Sequence, residues 1–184
     1  MQNAAFSQMD LDYYYFPIET NEESLPLIIA AVRHMNFAGL AVTKPDKIRV
    51  MDYLDDVDPL ARKMGAVNTV VIRDGRLVGY NTDGEGGVRS IEDKLDAPVG
   101  DMTAFFFGAG GAARAMAFTL ADRGVRSICL TDILDQASQG LAAELNEHYG
   151  EIARSLPSQD TGRVEAVFGA SDIVMNCSGL RSEE

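Results

Sequence analysis

Tryptophan is absent from this chain of 184 residues, and cysteine and histidine occur only twice each. Cys129 and Cys177 lie in apolar segments, with neither a C-x-x-C nor a Cys/His spacing. They read as reduced thiols of a cytoplasmic protein, and neither a disulfide framework nor a metal site is expected. Basic residues are also scarce, 16 against 28 acids, for a net charge of −12. The deficit is even: residues 1–99 carry 16 acids and 10 bases, and residues 100–184 carry 12 and 6. No segment gathers Lys and Arg, so nucleic acid and anionic membrane are not expected partners. No apolar run reaches the roughly 18 residues of a spanning helix. Met1–Asp12 lacks the basic start and apolar stretch of a signal peptide. What remains is ordinary globular material, 46% hydrophobic and 24% charged. It is enough for one large domain or two small ones at about 100–200 residues each.

Strand-like and helix-like segments alternate, which points to an α/β fold. Leu11–Ile18, rich in Tyr, Phe and Ile, reads as a strand, with Tyr13–Tyr15 as strand packing. In Glu22–Asn36 the spacing of Leu25, Ile28, Ile29, Val32 and Met35 predicts a helix. Gly39–Thr43 reads as a buried strand, and a helix starting at Pro45 would bury Ile48, Met51 and Leu54. Asn68–Ile72 and Leu77–Tyr80 flank Asp74-Gly75, a hairpin signal because both central residues need positive φ. A helix is expected over Gly84–Leu95. The break at Ala97-Pro98-Val99-Gly100 places a domain boundary there, giving domains of 1–97 and 98–184. Beyond it, continuous apolar strands at Thr103–Phe107 and Ser127–Thr131 alternate with helices at Ala112–Arg123 and Gln136–Tyr149. That pattern implies a parallel sheet covered on both faces. Glu165–Phe168 and Asp172–Cys177 read as further strands, and Arg154–Arg163 as a loop.

The strand Thr103–Phe107 runs into Gly108-Ala109-Gly110-Gly111-Ala112-Ala113, which fits G-x-G-x-x-G/A. Gly108 permits the tight strand-to-helix turn, Gly110 admits a pyrophosphate against the backbone, and Ala113 keeps helix and strand close. The pyrophosphate would rest on the amides and positive dipole end of the following helix. Asp132 ends the next strand, 24 residues after Gly108. An acid there accepts hydrogen bonds from the adenosine ribose hydroxyls and repels a 2′-phosphate, and no Lys or Arg lies between Asp132 and Glu144. The expected cofactor is therefore NAD, with NADP second. The competing readings are a turn that simply packs tightly and an acid that caps the next helix.

Three polar clusters precede this turn: Val42-Thr43-Lys44-Pro45-Asp46-Lys47, Gly65-Ala66-Val67-Asn68-Thr69 and Gly79-Tyr80-Asn81-Thr82-Asp83-Gly84. Together with the glycine-rich turn, and in this order, they resemble the V-T-x-P-x-K, G-A-V-N-T and G-Y-N-T-D-G motifs of the shikimate and quinate/shikimate dehydrogenases. The similarity runs from about Asn3 to Gly179. The resemblance implies a mixed-sheet substrate domain followed by a partial Rossmann domain. It implies hydride transfer between C3 of shikimate (or of quinate) and a nicotinamide. It makes Lys47 and Asp83 an acid/base pair, has Thr43 and Asn68 hold ring hydroxyls, and gives Asn81 an orienting part. Removing hydride from an alcohol leaves a proton that a positioned base must take, so the pair suits the chemistry. Taken singly, Lys47 reads as a solvated lysine, Asp83 as a helix cap, and Asn68 and Asn81 as turn residues. Met175-Asn176-Cys177-Ser178-Gly179-Leu180 resembles the family's fourth nucleotide-domain strand and its turn, which adds Cys177 to the cofactor set.

The resemblance has gaps. Asn3-Ala4-Ala5-Phe6 matches a helix start that the family precedes with a strand and a Ser-x-Ser segment, and the family continues beyond Glu184. The expectation is a chain truncated at both ends, with an uncovered sheet edge that favours self-association. Asp46 replaces a residue that is commonly aromatic or His and is expected to alter the field at Lys47. Thr131-Asp132-Ile133 stands where NADP-using members carry Asn-Arg-Thr, which supports NAD. Two other readings stay open: a catalytically impaired dinucleotide-binding module, and a dehydrogenase for a related cyclitol.

Overall fold

The computed structural model describes residues 1–178. Gly179-Leu180, the end of the last matched segment, lies outside them. The chain runs α1 (Gln2–Gln8), α2 (Ser24–Val32), β1 (Gly39–Ala41), a 3₁₀ turn (Arg49–Tyr53), β2 (Asp56–Val57), α3 (Pro59–Met64), β3 (Thr69–Arg73), β4 (Arg76–Tyr80) and α4 (Asp83–Leu95). It continues with β5 (Thr103–Phe107), α5 (Gly111–Asp122), β6 (Ser127–Thr131), α6 (Asp135–Tyr149), β7 (Ala153–Ser155), α7 (Thr161–Gly169) and β8 (Ile173–Asn176).

These elements form an α/β fold with two sheets. The first has the order β1-β3-β4-β2 and is mixed: β3 is antiparallel to β1 and β4, and β2 is parallel to β4. Asp74 and Gly75 both take positive φ, as the hairpin between β3 and β4 requires. One face of this sheet, Val70, Ile72 and Leu77, buries against Leu25, Ile29 and Val32 of α2. The second sheet, β7-β6-β5-β8, is parallel throughout. Its central strands are buried on both faces, Phe106 and Leu130 toward α5 and α6, and Phe105 and Cys129 toward α7 and Leu156.

Helix α5 is nearly enclosed, with Ala113 and Ala115–Ala121 all buried. It is apolar all round because the sheet lies on one side and α4 on the other. Gly84 makes the second contact possible, since a Cβ there would collide with the Ala115 carbonyl and Thr119. The same core holds Met64 from α3 and Val88 from α4, both of which precede the break at Ala97–Gly100.

Several local expectations are overturned. Leu11–Ile18 is not a strand: it pairs with no sheet, and Tyr13, Tyr14 and Tyr15 are exposed rather than packed. Asn3 takes the place of a ladder partner, its side chain donating to the Tyr15 carbonyl (2.8 Å) and accepting from the Tyr15 amide (2.6 Å). Pro45 opens turns that tighten only into the 3₁₀ segment, not an α-helix. Glu165–Phe168 lies inside α7, which Asp160 caps through the Arg163 amide. The Arg154–Arg163 stretch holds part of β7 and the start of α7.

Candidate functional site

Three chain segments cross at the first sheet's β3–β4 end. The Val42 amide, just past β1, donates to the Asn68 carbonyl (2.7 Å), and the Asn68 amide donates to the Tyr80 carbonyl (3.0 Å). The Val67 amide donates to the Lys47 carbonyl (2.8 Å). The three motifs are thus stitched together through their backbones, and their side chains converge. Lys47 Nζ lies 2.6 Å from Asp83 Oδ2. The other oxygen, Oδ1, accepts from Asn68 Nδ2 (2.7 Å). Asn68 is held in turn, because its Oδ1 accepts from the Thr82 amide (3.0 Å) and from Thr69 Oγ1 (2.9 Å).

Asp83 is the first residue of α4, after Thr82 at the N-cap. Its carboxylate does not cap the helix but is drawn to Lys47 and Asn68. Asn81 orients this end, accepting from the Asp83 amide (3.1 Å) and donating to the Ala66 carbonyl (3.1 Å). Partial burial pushes the Asp83 carboxyl up. The hydrogen bonds from Lys47 and Asn68, with the lysine charge, outweigh that and hold it below the usual carboxylate range.

Thr43 is not brought into this cluster. It is exposed and borders another cleft, of about 530 Å³, between the Tyr14–Thr20 segment and β1. Asp46 also turns away. It is buried, its Oδ2 accepts from Thr20 Oγ1, and Arg49 stands 4.0 Å from Oδ1, so its partners are these rather than Lys47.

The glycine-rich turn opens on a cleft of about 910 Å³ at the carboxyl ends of the parallel strands, lined in part by Gly108, Gly110, Asp132 and Cys177. Gly108 has φ +93°, and a Cβ there would stand 2.7 Å from the Cys177 carbonyl carbon and the Ser178 nitrogen. Gly110 is the N-cap of α5, Gly111 and Ala112 are exposed in its first turn, and Ala113 is buried against the sheet. The Ala109 amide is already committed, donating to Asp132 Oδ2 (2.7 Å), while Asp132 Oδ1 accepts from the Leu134 amide (2.9 Å). Asp132 is therefore not the cap of α6. Each oxygen keeps a lone pair that a hydroxyl could use.

Two residues gain a part that the sequence alone does not assign them. Thr131 Oγ1 is buried in this cleft's lining without a hydrogen-bond partner among the described residues. Its place, immediately before Asp132, was the available signal. Arg114 reaches out of the glycine-rich helix to the α3 end, a contact with no local signature. Among the described residues no group of three or more His, Cys, Asp or Glu could hold a metal ion. No helix among them is long and apolar enough to cross a membrane.

Comparison with known proteins gives this geometry a context. Residues 1–70 match the family model described as the shikimate dehydrogenase substrate binding domain. A shikimate dehydrogenase (NADP(+)) of Bacillus cereus strain B4264 is 38% identical over 179 residues, 96% of this chain and 64% of that protein. The crystal structure of shikimate 5-dehydrogenase from Listeria monocytogenes with shikimate and NAD superposes with a TM-score of 0.90 at 31% identity, covering 97% of this chain and 63% of that one. Quinate dehydrogenase from Corynebacterium glutamicum with NAD gives 0.83 at 31% identity, covering 96% and 64%. The chain thus spans just under two thirds of the length of these relatives.

Proposed function

We propose that the chain, similar to the shikimate and quinate dehydrogenases over nearly all of its described length, carries their hydride-transfer site, with residues 1–97 supplying the substrate side and 98–184 the nucleotide side. The observation that carries the reading is the Lys47–Asp83 contact, made across 36 residues of sequence and braced by Asn68. A solvated lysine and a capping aspartate would have no reason to meet.

A nicotinamide cofactor would supply the hydride acceptor. The residues present fit one: a wide cleft, a Gly108 that tolerates no side chain, an open Gly110, and the unpartnered Thr131 hydroxyl beside it. Gly110, Gly111 and Ala112 would hold the pyrophosphate on the α5 dipole, with Asp132 at the adenosine ribose. The Asp132 charge and the absence of Lys or Arg over residues 133–143 support NAD over NADP. The Bacillus cereus relative is named for NADP(+), whereas the Listeria and Corynebacterium structures hold NAD.

With one Lys47 N–H on Asp83, Nζ keeps positions that can face the reacting hydroxyl. As hydride leaves the carbon, the hydroxyl proton passes to a lone pair of the Lys47–Asp83 pair in its deprotonated form, and in the reverse direction the protonated pair returns it to the carbonyl oxygen. Asn68, donating to Asp83, holds the carboxylate in place and borders the ring hydroxyls, Asn81 aligns the start of α4, and Thr43 is the outlying substrate contact. Relatives named for shikimate and for quinate both match this chain, so both acids are candidate substrates.

The test is the initial rate of NADH or NADPH formation with shikimate and with quinate, for the native chain and for Lys47→Ala. Substrate-dependent reduction of NAD that Lys47→Ala loses by about 100-fold or more, the range for a positioned acid/base group, supports the reading. Equal rates in both proteins would refute the role of Lys47. Reduction of NADP alone would refute the role of Asp132.

A further inference from the structure

Arg114 is the fourth residue of α5, one helical turn beyond the N-cap Gly110, and its amide donates to the Gly110 carbonyl (2.9 Å). Its side chain bridges the two sides. Nε donates to the Met64 carbonyl at 2.6 Å, and Nη2 pairs with Glu144 of α6. The guanidinium also stands 5.2 Å from the centroid of the Phe118 ring. A carbonyl at a helix C-terminus lacks an intrahelical partner, and Met64 is the last residue of α3. The guanidinium's rigid, planar fork of donors serves that carbonyl and a carboxylate together.

The carbonyl so held begins the loop to the catalytic cluster. Gly65 turns the chain in a left-handed conformation, φ 66° and ψ 25°. Ala66 then accepts from Asn81, the Val67 amide donates to Lys47, and Asn68 donates to Asp83. Arg114 is thus one turn from the proposed pyrophosphate seat at one end, and at the other it holds Met64, four residues before Asn68. Around it, Lys63 stands 3.6 Å from Asp122 of α5 and 4.3 Å from the Tyr149 ring centroid, so the α3 terminus is gripped from both helices. The Arg114 hydrogen bond holds the Glu144 carboxyl below its usual range, as an anchored guanidinium would.

We propose that Arg114 is a positioning residue that sets the distance between the nucleotide-binding turn of α5 and the Lys47–Asp83 pair. The proposal rests on the hydride-transfer reading above. Neither ligand site is made of Arg114 atoms, so each ligand binds without it. What suffers is the alignment of the two, and a misplacement of about 1 Å costs roughly 100-fold in a reaction of this kind.

Arg114→Ala should lower kcat by about 10- to 100-fold, with the KM for shikimate and the affinity for NADH changed less than about threefold. The primary deuterium isotope effect on kcat should rise, because hydride transfer becomes slower relative to product release. Arg114→Lys, which keeps the charge but not the rigid fork, should recover part of the loss, and Glu144→Gln, which leaves the Met64 bond, should lose less than Arg114→Ala. Hydrogen exchange supplies a readout that needs no turnover: Val67 and Asn68 amides should lose protection in Arg114→Ala while those of β5 and β6 keep theirs. An unchanged kcat, a loss carried wholly by KM, or exchange rising equally through β5 and β6 would overturn the proposal. If the native chain turns over neither shikimate nor quinate, the hydride-transfer reading fails, and the exchange experiment alone decides whether Arg114 holds the loop.

Discussion

Gly108 and Gly110 sit two residues apart in one turn, yet the structure makes opposite demands of them. At Gly108 the backbone has φ +93°, and an added Cβ would stand 2.7 Å from the backbone of Cys177 and Ser178. A side chain in left-handed conformation costs about 1–2 kcal/mol, and forcing a methyl against atoms that cannot turn aside costs about 1–3 kcal/mol more. Gly108→Ala should therefore lose about 2–5 kcal/mol, and at about 2–4 °C per kcal/mol for a chain of this size Tm should fall by about 10 °C. At Gly110 the backbone is already in a region open to any residue, φ −75° and ψ −170°, and an added Cβ meets nothing within 4 Å. The entropy gained by restricting the unfolded chain, about 0.4–1 kcal/mol, roughly offsets the poorer N-cap that alanine makes, so Tm should stay within about 2 °C. The methyl would instead fill the space a pyrophosphate needs, and NADH affinity should fall about 10-fold or more, about 1.4 kcal/mol. Thermal melts followed by circular dichroism and titration of NADH fluorescence read the two quantities separately. The reasoning is refuted if Gly110→Ala melts as low as Gly108→Ala, or if it binds NADH as the native chain does.

Three other outcomes follow from the geometry. If Asp132 selects against a 2′-phosphate as proposed, Asp132→Ser should raise the ratio of kcat/KM for NADP to that for NAD about 10-fold, about 1.4 kcal/mol; an unchanged ratio would show that selection lies elsewhere in the cleft. Phe118, fully buried in α5, should lose about 3–5 kcal/mol on truncation to alanine, read as a shifted urea midpoint with an unchanged m-value. Because the folded Asp83 carboxyl lies below its usual range, its stabilising contribution is complete above the unfolded value of about 3.9 and is lost as pH falls through the lower folded value. The difference in urea midpoint between the native chain and Asp83→Asn should thus be constant from about pH 5 to 7 and shrink by about pH 3; a difference that grows on acidification would contradict the sign.

Elements with their own local logic were legible. Thr103–Phe107 and Ser127–Thr131 are continuous apolar runs that only a doubly covered sheet absorbs. Asp74-Gly75 carries the positive φ of its turn in its composition. Leu11–Ile18 misled because its Tyr, Phe and Ile residues favour strands, but a strand exists only where an edge accepts it. Here the side chain of Asn3 satisfies Tyr15 instead. Glu165–Phe168 misled for a related reason: a short apolar run looks alike in either state. Asp160 resolves it by capping a helix whose Val164 and Val167 pack on Phe105. The start of α3 was readable and passed over, since Asp58 caps it and Pro59 fills its first position.

The candidate site divides along the same line. Motif order was enough to nominate Lys47, Asn68 and Asp83, and it needed no distances. The resemblance also paired Lys47 with Asp83; what it could not say is that α4 would be left without a side-chain cap. Nor could it say that Asp46, next to Lys47 in sequence, would face Thr20 and Arg49. Neighbours in a turn point apart, so adjacency in sequence is a poor guide to whose field a charge feels. The same reasoning separates Thr43 from Lys47, although one motif holds both. Arg114 is the converse: it lies within the glycine-rich helix, where sequence patterns attend to glycines, and its reach to Met64 exists only once α3 and α5 pack. Chemistry that a motif names is legible from the chain, whereas the alignment of two motifs is a property of the packing between them. Substitutions at Lys47 and at Arg114 should therefore fail differently, the first in proton transfer and the second in the placement of the hydride.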